Sequence, residues 1–169
     1  PGNTGILVIS PEDLAKRMYK AYRHGLQPAT HCIGDKALEV TLDAVEYCLQ
    51  QGLKDGMTPE EQANRLPFRI IHAQMATPEL IERMKKLPIV LDIQPTFLMT
   101  DLHWIEERVG KERAVLSYPW KTYLDSGLIM AGGSDAPVES FNPWIGIYAT
   151  VTRQDMDGYP VGGYHPNEK

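Results

Sequence analysis

Residues 26–35, LQPATHCIGD, decide the reading of the fold: a short apolar run closes on Thr30-His31-Cys32 and passes through Gly34 into a helix that opens at Asp35. With Gly25 before it and Gly34 after it, the run over residues 26–32 is expected to be a buried strand. Upstream, Ser10-Pro11-Glu12-Asp13 offers a capping hydroxyl, a proline at the first helical position and an acid at the third. Leu14, Met18, Tyr19 and Tyr22 then follow at helical spacing. Downstream, Leu38, Leu42, Val45 and Leu49 line one face of a second helix, with Gly52 as its expected stop and Asp35 as its expected N-cap.

The same alternation continues along the chain. Residues 53–66 are polar and are expected to be an insertion holding a short surface helix that starts at Thr58-Pro59-Glu60-Glu61. Residues 67–73 read as a strand, Thr77-Pro78 opens a helix to about Lys85, and residues 88–94 read as a third strand. A long polar and aromatic loop precedes a helix over 118–126, a fourth strand over 128–133, and a helix from Asn142-Pro143 to about Arg153. Strands separated by helices imply a parallel sheet, because parallel neighbours need a crossover; the expected class is α/β, one domain over residues 1–169.

Composition narrows the function classes. A chain of 169 residues with 43% hydrophobic content can bury one core. Its formal net charge of -5, with no cluster of Lys and Arg, argues against nucleic-acid binding. The longest apolar runs are strand-length, so no membrane segment is expected. Cys32 and Cys48 have neither CxxC spacing nor the density of a disulfide scaffold, and read as reduced thiols in a cytoplasmic protein. The chain starts at Pro1 without a methionine and stops at Lys169 in a polar stretch, which is expected of a piece of something longer.

Three expected strands end in groups that bind metals: Thr30-His31-Cys32, Ile71-His72-Ala73 and Gly133-Ser134-Asp135. In parallel α/β folds the site lies at the carboxyl ends of the strands, so these three side chains are expected to converge as the last positions of their strands. Imidazole suits zinc and similar ions, and a carboxylate beside it can both coordinate and carry protons. A lone histidine is more often structural, and His24 and His165 are left as such. Two strand-end histidines with a strand-end aspartate are a stronger signal together. Serine hydrolysis fits poorly, since Gly132-Gly133-Ser134-Asp135-Ala136 lacks the Gly-x-Ser-x-Gly elbow.

Around these positions stand His31-Cys32-Ile33-Gly34-Asp35-Lys36-Ala37, Arg69-Ile70-Ile71-His72-Ala73-Gln74, Gln94-Pro95 with Asp101 downstream, Val109-Gly110-Lys111-Glu112-Arg113, and Gly132-Gly133-Ser134-Asp135-Ala136-Pro137-Val138. In order and spacing they resemble amidohydrolase family 3, the YtcJ-like metal-dependent amidohydrolases, from about Gly5 to the end. The resemblance implies the C-terminal half of a metal-dependent hydrolase TIM (β/α)8 barrel, strands five to eight, with His31 on the fifth, His72 on the sixth and Asp135 on the eighth. It implies His31, His72 and Asp135 as ligands of one or two divalent ions, zinc foremost. It also implies Asp135 as general base toward a metal-activated water and then as general acid toward the leaving nitrogen of a C–N bond in a small molecule. Position 71 is isoleucine where many members carry an acid.

The loop after the third strand holds Gln94, Asp101, His103, Trp104 and Arg113, expected to shape the substrate pocket, and Arg153 matches a family arginine after strand eight. The family's first-strand His-x-His pair and fourth-strand bridging residue have no counterpart here, so the N-terminal half of the same polypeptide is the expected partner. Four strands cannot close a barrel of eight, and the apolar sheet they would expose implies that an isolated chain forms a homo-oligomer. The alternative reading is a structural half-barrel or binding module without turnover.

Overall fold

The computed structural model describes residues 6–169, so the beginning of the family resemblance at Gly5 lies outside the described residues. The chain runs through α1 (Pro11–Arg23), β1 (Ala29–Cys32), α2 (Asp35–Lys54), α3 (Pro59–Ala63), β2 (Phe68–His72), α4 (Pro78–Met84) and β3 (Ile89–Ile93). It continues through α5 (Phe97–Asp101), α6 (Ile105–Val109), α7 (Lys111–Ala114), α8 (Trp120–Asp125), β4 (Met130–Gly132) and α9 (Pro143–Thr152), with a 3-10 turn at Pro166–Glu168. All neighbouring strands are parallel in the order β1-β2-β3-β4, with Cys32 opposite His72, Ile71 opposite Asp92 and Ile93 opposite Gly132. This is the open α/β sheet that a half-barrel requires.

Local chemistry explains most element starts. Ser10, Thr58, Thr77 and Asn142 each cap a helix through a side-chain oxygen, and each is followed by a proline in the first turn. The strands are shorter than expected, because Pro28, Pro67 and Pro88 have no amide to donate and the ladders begin just after them. The expected helix from residue 118 starts later, at Trp120, since Tyr118 is left-handed (φ 53°) and Pro119 follows it. Gly34, not Asp35, holds the N-cap position of α2; Asp35 is the first helical residue. Nor does Gly52 end α2. The helix runs on to Lys54, and the Gln62 side chain of α3 passes close over Gly52, its Nε2 donating to the Leu49 carbonyl at 2.7 Å. The loop after β3 contains α5, α6 and α7, none of which has the side-chain cap that would have announced it.

The sheet has two unlike sides. Cys32, Phe68, Ile70 and Leu91 are buried beneath the helices, where Phe68 stacks on Tyr22 of α1 with centroids 5.0 Å apart. Each fully buried aliphatic or aromatic side chain there stabilises the fold by about 1.5–3 kcal/mol relative to exposure. On the opposite side stand His31, Ile71, Val90 and an ion pair, Arg69 Nη2 to Asp92 Oδ2 at 2.6 Å. Among the described residues no helix is long and apolar enough to cross a membrane.

Candidate active site

His31, His72 and Asp135 meet at the carboxyl ends of the strands, though not each at a strand's last position. His72 ends β2, His31 is the penultimate residue of β1, and Asp135 lies beyond Gly132, the end of β4. The imidazoles of His31 and His72 are 4.5 Å apart, edge to face, and Asp135 Oδ2 is 4.0 Å from His72 Nε2. Asp135 is left-handed (φ 55°) and its carbonyl accepts from the Val138 amide at 2.9 Å, a tight turn that leaves its side chain 45% exposed.

His72 is buried with its ring over Phe97, centroids 5.5 Å apart, and its Nδ1 has no hydrogen-bond partner. Burial, and secondarily His31, hold its imidazole below the ordinary histidine value against weaker opposing pulls from the Gln94 amide and Asp135. It is therefore neutral at neutral pH, the form in which a histidine can ligate. Two imidazoles and a carboxylate are donors that a zinc-type ion takes, and the orphaned Nδ1 is a buried polar atom in want of a partner. The donors fit such an ion as a partial set: among the described residues no group of three His, Cys, Asp or Glu side chains is close enough to hold one.

The residues expected to touch substrate divide. Gln94 is buried just past β3, its Nε2 donating to the Asp92 carbonyl at 3.0 Å and its Oε1 unpartnered. Trp104 is partly exposed, with the Arg108 guanidinium 5.6 Å over its ring. Arg113 reaches across the mouth of the sheet to Asp35, its Nη2 2.8 and 2.9 Å from the two carboxylate oxygens.

Asp101 and Arg153 both lie inside the fold. Asp101 is buried, accepting from Gln74 Nε2 at 2.7 Å and from the Tyr118 hydroxyl, and burial raises its carboxyl above the ordinary value. Arg153 is fully buried; its Nε donates to the Tyr164 carbonyl, and its Nη1 donates to the carbonyls of Tyr118 and Glu168. Both tie loops to the core, and Arg153 Nη2 is buried without a hydrogen-bond partner among the described residues. His103, in the same loop, pairs with Asp155 at 2.9 Å. Tyr118 and Tyr123, not singled out in the sequence, brace the end of β2 together with Gln74 of the His72-Ala73-Gln74 motif; the aromatic cluster of residues 118–123 is the visible signal of the two tyrosines.

The profile of the amidohydrolase family matches residues 3–169. The putative amidohydrolase YtcJ of Bacillus subtilis is 37% identical over 169 residues, covering 99% of this chain and 30% of its own length. The N-substituted formamide deformylase of Arthrobacter pascens is 28% identical over 151 residues, 88% of this chain and 25% of that protein. The crystal structure of an uncharacterized metal-dependent hydrolase from Pyrococcus horikoshii superposes with a TM-score of 0.76 at 36% identity, over 90% of this chain and 28% of that one. The chain thus spans no more than about 30% of these relatives' length. With the family profile matched over residues 3–169, the chain belongs to the amidohydrolase family.

Proposed function

We propose that this chain is the strand-five-to-eight half of the catalytic barrel of a metal-dependent hydrolase that cleaves a C–N bond in a small molecule. His31 and His72 are its ligands to zinc, and Asp135 touches the metal and carries the proton. The observation that carries this reading is the meeting of the two imidazoles at 4.5 Å with Asp135 4.0 Å from His72, at the strand ends of an amidohydrolase sheet. The deformylase relative, by its name, supports the C–N class. Two free buried thiols, Cys32 and Cys48, support a cytoplasmic setting.

A bound divalent ion would supply a water of lowered pKa and polarise the carbonyl under attack. The chain's own residues do the rest. Neutral His72, shielded by Phe97, keeps a lone pair available. The half-exposed Asp135 takes a proton from the attacking water and returns it to the departing nitrogen, which without it would leave as an unstable anion. Gln94 and Trp104 are assigned to the substrate wall, and Arg113 to a clasp that holds the loop after β3 against the start of α2.

The remaining donors are assigned to the N-terminal half of the same polypeptide. For the isolated chain, the absence of a three-donor group among the described residues favours the second reading, a half-barrel without turnover. Both are tested together by assaying the longer polypeptide and the isolated chain on N-substituted amides, before and after chelation and with zinc returned. Activity in the longer polypeptide alone, lost to the chelator and restored by zinc, is expected; full turnover by a metal-free preparation would overturn the reading.

A further inference from the structure

Alternation along β2 conflicts with the position of its last side chain. Phe68 and Ile70 face the helices, so a regular strand would send His72 the same way, as its register partner Cys32 goes. His31 stands on the other side, opposite Ile71. Yet the His72 ring lies 4.5 Å from that of His31. The backbone accounts for it: His72 (φ 74°) and Ala73 (φ 45°) are two consecutive left-handed residues, neither of them glycine. Such a pair persists only where its surroundings over-determine it.

We propose that Tyr123 is a positioning residue for His72. Its hydroxyl, donating to the Ala73 carbonyl at 2.7 Å, holds the left-handed turn that brings the His72 imidazole beside His31. This rests on the reading of His31 and His72 as metal ligands. Tyr123 sits on α8 with no exposed surface, so its hydroxyl meets no competing water, and among the described residues no second hydrogen bond reaches the Ala73 carbonyl. Burial pushes its phenol far above the ordinary value, so it remains a donor throughout the physiological range. The other bonds in this region lie farther along the chain: Tyr118 N to the Gln74 carbonyl at 2.7 Å, Met75 N to the Ile33 carbonyl at 3.2 Å, and Ala76 N to the Leu116 carbonyl at 3.2 Å. They anchor residues 74–76, and the β1–β2 ladder holds His72 opposite Cys32; between the two, the Ala73 carbonyl is held by Tyr123.

The test is a double-mutant cycle in the longer polypeptide that carries this chain, reloaded with cobalt(II) and read by visible absorption and by the dissociation constant for cobalt. Tyr123→Phe keeps the ring in the core and removes only the donor. It is expected to weaken cobalt binding by about 10-fold or more, the usual loss when a ligand's support is removed, and to alter the cobalt spectrum. In an Ala73→Gly background, where glycine takes the left-handed conformation without strain, the same substitution is expected to do much less. A Tyr123→Phe protein that fails to fold beside a folded, cobalt-binding double variant supports the proposal equally. Equal losses in both backgrounds, no loss in either, or a double variant that also fails to fold overturns it and leaves the metal-ligand reading standing. A wild-type polypeptide with no cobalt site overturns both.

Discussion

Asp135 and Arg153 are residues of opposite kinds, and substitution should separate them. Asp135 is half exposed, and its carboxylate stands 4.0 Å from His72 Nε2. Asp135→Asn in the longer polypeptide is therefore expected to leave the thermal midpoint in place and lower kcat by about 10²- to 10⁴-fold, the usual worth of a positioned proton carrier. A variant with ordinary kcat would put the base elsewhere. Arg153 is interior, donating to three backbone carbonyls, with its guanidinium 5.1 Å over the Trp120 ring. Arg153→Met removes the donor to the Tyr164 and Glu168 carbonyls, leaving the Tyr118 carbonyl only its bond from the Trp120 amide, and is expected to cost about 3 kcal/mol in urea unfolding. A variant of unchanged stability and raised KM would restore Arg153 to the substrate wall. The sequence singled out Asp135 by its type and its Gly-Gly-Ser-Asp setting. It did not show that Arg153 and Asp101 are buried, because a charged side chain does not announce its burial.

Helix starts were the most legible elements, because a cap is local: Ser10, Thr58, Thr77 and Asn142 each bond an amide within three residues. Ser10→Ala is expected to lower stability by about 1 kcal/mol in denaturant titration, since the Asp13 amide loses the oxygen it donates to at 3.1 Å. The segment after α9 is organised around Asp155, whose carboxylate accepts from the amides of Asp157 and Tyr159 at 2.9 Å each and pairs with His103. The Tyr159 amide most of all holds this carboxyl below its ordinary value. A carboxyl depressed in the fold stabilises it above the unfolded pKa of about 3.9 and loses that contribution as pH falls through the lower folded value. The difference in unfolding midpoint between wild type and Asp155→Asn should accordingly shrink as pH falls below about 4. A difference unchanged down to pH 2 would mean that the carboxylate is not what organises the segment. The helices α5–α7 were illegible for the converse reason, having no cap, and Tyr118 left no trace of its left-handed turn in the sequence.

Taken as an isolated body, the chain leaves both outer strands of its sheet unpaired, and parallel sheets are normally covered on both faces. The exposed side is less apolar than the sequence suggests, since Arg69 and Asp92 occupy it as an ion pair. The apolar excess lies toward the two flanks: Val8 near β1, and Phe141, Trp144 and Val151 along α9 beside β4. The isolated chain is therefore expected to self-associate, most simply as a two-fold dimer, and to hold zinc loosely. Sedimentation and a metal assay check both; a stable monodisperse monomer, or tightly held stoichiometric zinc, contradicts the respective half.

The sequence by itself determined the alternation of strand and helix, the parallel sheet that follows from it, and which side-chain types stand at or just past the strand ends, because periodicity, caps and side-chain type are properties of short stretches. Only the tertiary structure decided how those residues face. A strand's alternation cannot bring His72 to the side of His31; the left-handed turn at His72 and Ala73 does, and its bond from Tyr123 comes from 50 residues along the chain. The same holds for Arg153 and Asp101, whose partners are assembled from distant loops. Burial and hydrogen-bond satisfaction are sums over neighbours that no local window of the sequence contains.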